Sequence, residues 1–182
     1  SVTAGNNGAV CVGGSIVLTA SGGSSYAWAG PSGFTSSAQN PTRSNATTAM
    51  AGTYTVTVTV AGGCTATATT TVTVNSAPAS ASNSGAACAG GSVTLSATGG
   101  GTYLWTGPNG FTSSAQNPSI TALSAAKAGT YTVTVTATNG CTATATTTVT
   151  LSTVSATAGS NSPVSVGGTV NLTATGGTTY AW

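Results

Sequence analysis

The sequence contains no aspartate, no glutamate and no histidine, and only two basic side chains, Arg43 and Lys127, among its 182 residues. General acid–base catalysis draws mainly on His, Asp, Glu, Lys, Tyr and Cys. Without the first three, no Ser-His-Asp or Cys-His constellation can be assembled, and hydrolysis of glycosides by paired carboxylates is excluded. Hard cations want carboxylate oxygens and zinc wants histidine or clustered cysteine, so neither a metal site nor a cofactor is expected. Two cations are too few to follow a phosphate backbone, which excludes a nucleic-acid partner. The chain has no signal peptide and no apolar run long enough to span a bilayer. We therefore expect no membrane insertion, and read the chain as an internal window of a secreted protein. Charged residues make up 1% of the chain, against about 25% in an average globular protein. Surfaces so nearly neutral repel one another weakly and tend to associate.

What remains is rich in Thr, Ser, Ala, Gly and Val, with 39% hydrophobic residues. Disordered chains combine low hydrophobicity with high net charge, the reverse of this composition. Valine alternating with threonine favours strands, so the chain reads as an ordered all-β protein.

Its strongest internal signal is repetition. Trp28, Trp105 and Trp182 recur at a constant step of 77 residues, as do Tyr26, Tyr103 and Tyr180. Cys11 recurs as Cys88, Cys64 as Cys141, Asn40-Pro41 as Asn117-Pro118, and the octapeptide from Gly52 to Thr59 is repeated from Gly129. Such self-similarity marks a tandem array. Residues 155–182 match 1–28. The domains are therefore 1–75, 76–152, and a partial third at 153–182 holding strands A, B and the start of C. The partial domain is expected to be completed by further chain rather than by another molecule.

Within one repeat, Ile16, Leu18 and Ala20 alternate inward on strand B, matched by Val93, Leu95 and Ala97 and then by Val170, Leu172 and Ala174. Strand C carries Tyr26 and Trp28, and the tryptophans Trp28, Trp105 and Trp182 are expected to plug the cores. Turns at Pro31-Ser-Gly33 and Pro108-Asn-Gly110 lead to a short edge strand at Phe34 and a weak strand E after Pro41. Strand F, Thr53 to Val60, places Tyr54, Val56, Val58 and Val60 on one face and threonine on the other, a clean period of two. Gly62-Gly63 and Asn139-Gly140 supply a tight hairpin. Strand G follows, with Ala66, Ala68, Val72 and Val74 inward. About seven short strands per repeat indicate an immunoglobulin-like β-sandwich, and Tyr54 and Tyr131 stand where a tyrosine corner would bond back to the E–F connection.

The motifs Cys-x-Gly-Gly-Ser-x-x-Leu-Thr-Ala, Tyr-x-Trp-x-Gly-Pro-x-Gly-Phe, Ala-Gly-Thr-Tyr-Thr-Val-Thr-Val and Gly-Cys-Thr-Ala-Thr cover the whole chain. Together they resemble the Ig-like/PKD-like repeats of Bacteroidota surface proteins. The resemblance implies a place in long adhesins, gliding-motility surface proteins, filaments or spacers of secreted enzymes. It does not bring an aspartate-based calcium site, because the chain has no acidic side chain.

Four cysteines in a secreted chain are expected to form disulfides. Pairing within each repeat would give Cys11–Cys64 and Cys88–Cys141. Topology favours another pairing. Cys11 precedes strand B at one end of the sandwich and Cys64 follows strand F at the other, separated by a strand of about ten residues, roughly 30 Å. A disulfide needs Cα atoms within about 7 Å. A head-to-tail array would instead bring Cys11 to Cys141, leaving Cys64 and Cys88 for repeats on either side. Both pairings stay open from sequence. Candidate glycosylation sites are Asn45 and Asn171 in N-x-Thr sequons, and the outward threonines Thr55, Thr57, Thr132 and Thr134.

The expected function is structural: a non-catalytic repeat in the shaft of an extracellular bacterial filament or long surface adhesin. Its partners would be neighbouring repeats, further copies of itself, and glycans. The alternatives are a carbohydrate- or surface-binding adhesion module and a spacer in a large secreted enzyme.

Overall fold

A computed structural model describes residues 1–182, and it is all-β: short 3-10 turns are its only helical elements. No helix is long and apolar enough to cross a membrane. The chain divides into two compact units. Unit 1 holds Ser1–Ser80, Thr98–Tyr103 and Thr134–Ala145; unit 2 holds Ala81–Ala97, Leu104–Val133 and Thr146–Trp182.

The first repeat is built from β1 (Thr3–Asn6), β2 (Val10–Cys11), β3 (Ile16–Ser21), β4 (Ser25–Gly30), β5 (Phe34–Ser36), β6 (Thr42–Arg43), β7 (Gly52–Thr59), β8 (Thr65–Val72) and β9 (Val74–Asn75). One sheet has the order β1-β3-β6 and the other β5-β4-β7-β8. The Val/Thr alternation of β7 places Tyr54, Val56 and Val58 against Ile16 and Leu18 of β3 and Trp28 of β4 in one buried cluster. Two sheets facing one another across alternating inward residues form an immunoglobulin-like sandwich. Ala66 is exposed rather than inward in effect, since it lies beside the hairpin turn, while Val72 and Val74 are buried. Val60 lies beside the same turn: the strand ends at Thr59, and Val60 is 37% exposed.

The first and last strands switch sheets. After β1 the chain turns at Asn6, whose side-chain oxygen accepts the Gly8 N–H at 2.7 Å. It then re-enters as β2, pairing parallel with β9 through Val10↔Val74 and Cys11↔Asn75. Asn6 also donates through Nδ2 to Thr70 Oγ1 at 2.6 Å and to the Thr71 carbonyl at 2.9 Å, tying the first strand to the last.

The second repeat follows the same plan in β10 (Ser80–Asn83), β11 (Ala87–Cys88), β12 (Val93–Thr98), β13 (Thr102–Gly107), β14 (Phe111–Ser113), β15 (Ser119–Ile120), β16 (Gly129–Thr136), β17 (Thr142–Val149) and β18 (Leu151–Ser152). Its sheets have the orders β10-β12-β15 and β14-β13-β16-β17, and β11 pairs parallel with β18. Val93, Leu95, Ala97, Trp105, Tyr131, Val133 and Val135 are buried.

Residues 153–182 contain only β19 (Thr157–Ser160) and β20 (Leu172–Thr175), an antiparallel pair. Two expectations fail here. Tyr180–Trp182 form no strand C, and Trp182 is no core plug: it is 69% exposed, where Trp105 is 0% exposed. Val170 and Leu172 are likewise exposed. The physical reason is the missing partner. Trp28 is held in place because β4 lies beside β7, with Trp28 opposite Val56, and residues 153–182 include no counterpart of β7.

Candidate functional site

The chain has no carboxylate or imidazole side chain, and no group of metal-ligating residues is present. The places where the structure builds something beyond a sandwich are two: a cysteine junction and a tyrosine-centred cleft.

The junction lies in unit 1. Cys11 ends β2, opposite Asn75 of β9. The next residue, Val12, donates its N–H to the Asn75 carbonyl at 2.8 Å. Onto this linker sits the turn between β16 and β17. Asn139 Nδ2 donates to the Ser76 carbonyl at 3.3 Å, and the Asn139 side-chain oxygen accepts the Cys141 N–H at 3.0 Å. Cys11 and Cys141 form a disulfide across a Cα–Cα distance of 5.5 Å, 130 residues apart in sequence. A loop of that length removes on the order of 5 kcal/mol of chain entropy from the unfolded state in the simplest account. The other two cysteines, Cys64 and Cys88, are unpaired and exposed. Neither a Cys11–Cys64 nor a Cys88–Cys141 bond is formed.

At the tyrosine end of the first repeat, Tyr54 donates its hydroxyl to the Met50 carbonyl at 2.9 Å, closing a tyrosine corner over a 3-10 turn at Thr48–Met50. Arg43 lies over the Phe34 ring, 4.7 Å from its centroid, and donates through Nη1 to Tyr54 Oη at 2.6 Å and to the Pro31 carbonyl at 3.0 Å. In the second repeat Tyr131 bonds Lys127 in the same way, at 2.7 Å, and burial raises its phenol above the ordinary value. Ile120 stands where the first repeat has Arg43. There a cavity of about 170 Å³ opens, lined by Pro108, Phe111, Ile120, Lys127 and Tyr131. Lys127 is tethered at its rim by a bond from Nζ to the Thr121 carbonyl at 2.8 Å.

The carbohydrate candidates are dispersed. Asn45 is exposed with a left-handed backbone, φ 54°, and Asn171 is exposed next to β20. Thr55, Thr57, Thr132 and Thr134 face outward but are only half exposed, because their strands lie between two neighbours. The freely accessible hydroxyls stand on the edge strands instead, at Thr67, Thr69 and Thr71 and at Thr144, Thr146 and Thr148.

Sequence reasoning overlooked one anchoring device. Trp28 Nε1 donates to the Gln39 carbonyl at 3.3 Å, and Gln39 Nε2 donates to the Ala20 carbonyl at 2.8 Å. Trp105 and Gln116 repeat this at the same distances. The recurrence of Gln before Asn-Pro was the available signal.

The fold and the junction together define tandem Ig-like β-sandwich domains joined by a disulfide. Within that class, residues 76–152 match the family model of the PKD domain. Among solved structures, murine CEACAM1b superposes with a TM-score of 0.40 at 14% identity, covering 84% of this chain and 99% of that one. Three N-terminal domains of the bacteriophage RB49 highly immunogenic outer capsid protein give a TM-score of 0.40 at 19% identity, covering 96% of this chain and 67% of that one. No curated protein matches the chain. PKD and Ig-like domains are typically non-catalytic, and disulfides persist chiefly in oxidising, extracellular settings.

Proposed function

We propose that the chain is a section of the shaft of an extracellular bacterial filament or long surface adhesin. The reading is carried by the Cys11–Cys141 bond, which joins the A–B end of one repeat covalently to the F–G turn of the next. A linker between domains bends by default; a covalent tie across it restrains bending, which is what a load-bearing shaft requires. The small divergence between the repeats, which keep the same motifs at the same step, supports a uniform shaft over a ligand-reading tip. The uncharged, threonine-covered surface supports self-association and offers hydroxyls for glycans. Neighbouring repeats, further copies of the chain and attached glycans are its proposed partners, and the cell surface or the medium its location. Electron micrographs of the native material test this: filaments with a regular axial repeat are expected, and dispersed short rods would contradict it. An intact mass equal to the sequence mass would remove the glycans.

The cavity beside Tyr131 supports a second reading, an adhesion module for a small carbohydrate. It combines aromatic and hydroxyl groups with one amine and opens in a repeat that lacks Arg43. Glycan-array binding lost on Lys127→Ala in a chain that keeps its thermal midpoint would favour it, and no binding above background would set it aside.

A further inference from the structure

The outer face of the sheet β5-β4-β7-β8 carries threonine in a regular net. Tyr54, Val56 and Val58 of β7 are buried, so Thr53, Thr55, Thr57 and Thr59 take the other face. β8 sets a threonine opposite each of them: the register is Thr53↔Thr71, Thr55↔Thr69, Thr57↔Thr67 and Thr59↔Thr65. Beside these two rows β4 places Ser25, Ala27 and Ala29, opposite Thr59, Thr57 and Thr55, so no larger side chain of that strand rises above them. Both octapeptides recur one repeat later, from Gly129 and from Thr142. Strand propensity accounts for threonine at such positions, but valine, isoleucine or tyrosine would satisfy it as well. The two rows hold threonine throughout.

Neighbours within a row are two residues apart, about 6.8 Å, and the rows lie about 4.8 Å from one another. The oxygen atoms on the prism faces of hexagonal ice repeat on a rectangular net of closely similar dimensions. Twist rotates adjacent strands by about 20–25°, and between two rows that rotation is taken only once. Threonine is stiff at χ1, so each hydroxyl and methyl is held in place before anything binds, and little freedom is lost on binding. The hydroxyls can occupy positions of a water lattice while the methyls sit over its gaps. Charged side chains would hold water in shells of their own that fit no such lattice. The chain has no Asp, Glu or His, and neither Arg43 nor Lys127 stands in the rows.

We infer that the paired threonine rows of β7 and β8, with their counterparts in the second repeat, are an ice-binding surface. Their ligand is the ordered water at the face of a growing crystal. The first repeat offers the flatter face, because Leu104, 52% exposed, stands in the second repeat at the position of Ala27. A shaft carrying these rows would fasten its bearer to ice. Binding is read on the isolated chain, so its outcome does not depend on whether filaments form.

The test uses the 182-residue chain at an intact mass equal to its sequence mass, since glycans on these hydroxyls would mask the rows, and ice as the only ligand. Slow freezing of a dilute solution should draw the chain into the ice rather than leave it in the liquid. Seed crystals held just below their melting point should stop growing and become faceted. Thr57→Tyr together with Thr134→Tyr raises a ring within each set and should abolish both effects, with Thr57→Tyr alone costing more than Thr134→Tyr alone. Thr42→Tyr, exposed on β6 of the other sheet, should leave both unchanged. If the central-strand changes lower the thermal midpoint, Thr67→Tyr with Thr144→Tyr on the exposed edge rows gives the same reading. Exclusion of the original chain from ice overturns the inference, and so does an equal loss from Thr42→Tyr. A chain that sediments as a dimer, becomes a monomer with Thr57→Tyr and is excluded from ice assigns the rows to a second copy and overturns it equally.

Discussion

Trp105 and Trp182 are the same residue of the same repeat, one sealed in a core and the other mostly in solvent. Leu95 and Leu172 divide in the same way. The local sequences around the two pairs are closely alike, so local propensity cannot account for the difference. Burial in this protein is a property of the completed sandwich, in which each sheet supplies the wall against which the other packs. In the third repeat β19 and β20 pair in the register of β1 and β3, yet Leu172 is 53% exposed where Leu18 and Leu95 are 0% exposed.

The widest test of that contrast is to truncate both tryptophans. Trp105→Ala should destabilise the second repeat by about 3–5 kcal/mol, as for other large-to-small core changes. Trp182→Ala should fall within about 0.5 kcal/mol, as for exposed sites. Denaturant midpoints report both, and equal losses would mean that residues 153–182 are packed after all. Next in size is the junction. Cys11→Ser should cost about 2–5 kcal/mol, whereas Cys88→Ser should change the midpoint little, since Cys88 is unpaired. Comparable losses at the two positions would deny the asymmetry between the closed and the open junction.

Much of this was legible in the residues. The Val/Thr alternation of β7, the hairpin glycines and the 77-residue step led directly to the sandwiches and to the tyrosine corner at Tyr54 and Tyr131. Periodicity records which face Trp182 belongs to, not whether anything lies against it, and among residues 153–182 nothing does. The outward threonines of β7 and β16 were overrated as accessible hydroxyls for a related reason. An alternating pattern separates inside from outside but does not tell a central strand from an edge strand. The Trp–Gln anchors needed three-dimensional coordinates, since the bonded carbonyls belong to residues eleven and nineteen positions away.

A smaller difference separates the two complete repeats at their tyrosine corners. Tyr131→Phe removes one hydrogen bond and should cost about 0.5–1.5 kcal/mol, while Tyr54→Phe also strips Arg43 of a partner and should cost up to about 3 kcal/mol. Arg43→Ile, which gives the first repeat the residue of the second, should bring the two tyrosine effects together. The smallest expected effect is with pH. Burial raises the Tyr131 phenol above its ordinary 10.0, so the folded state holds that proton more tightly than the unfolded state does. Stability should therefore be full below about pH 10 and decline as the pH rises through and beyond it. Tyr131→Phe should flatten that decline.

The tie between repeats rests on which cysteines are joined. Non-reducing peptide mapping of the 182-residue chain, after chymotryptic cleavage and alkylation of free thiols, reads this directly. It should yield one linked peptide containing Cys11 and Cys141, with Cys64 and Cys88 alkylated. A peptide linking Cys11 to Cys64 would contradict the junction between repeats and the shaft reading built on it.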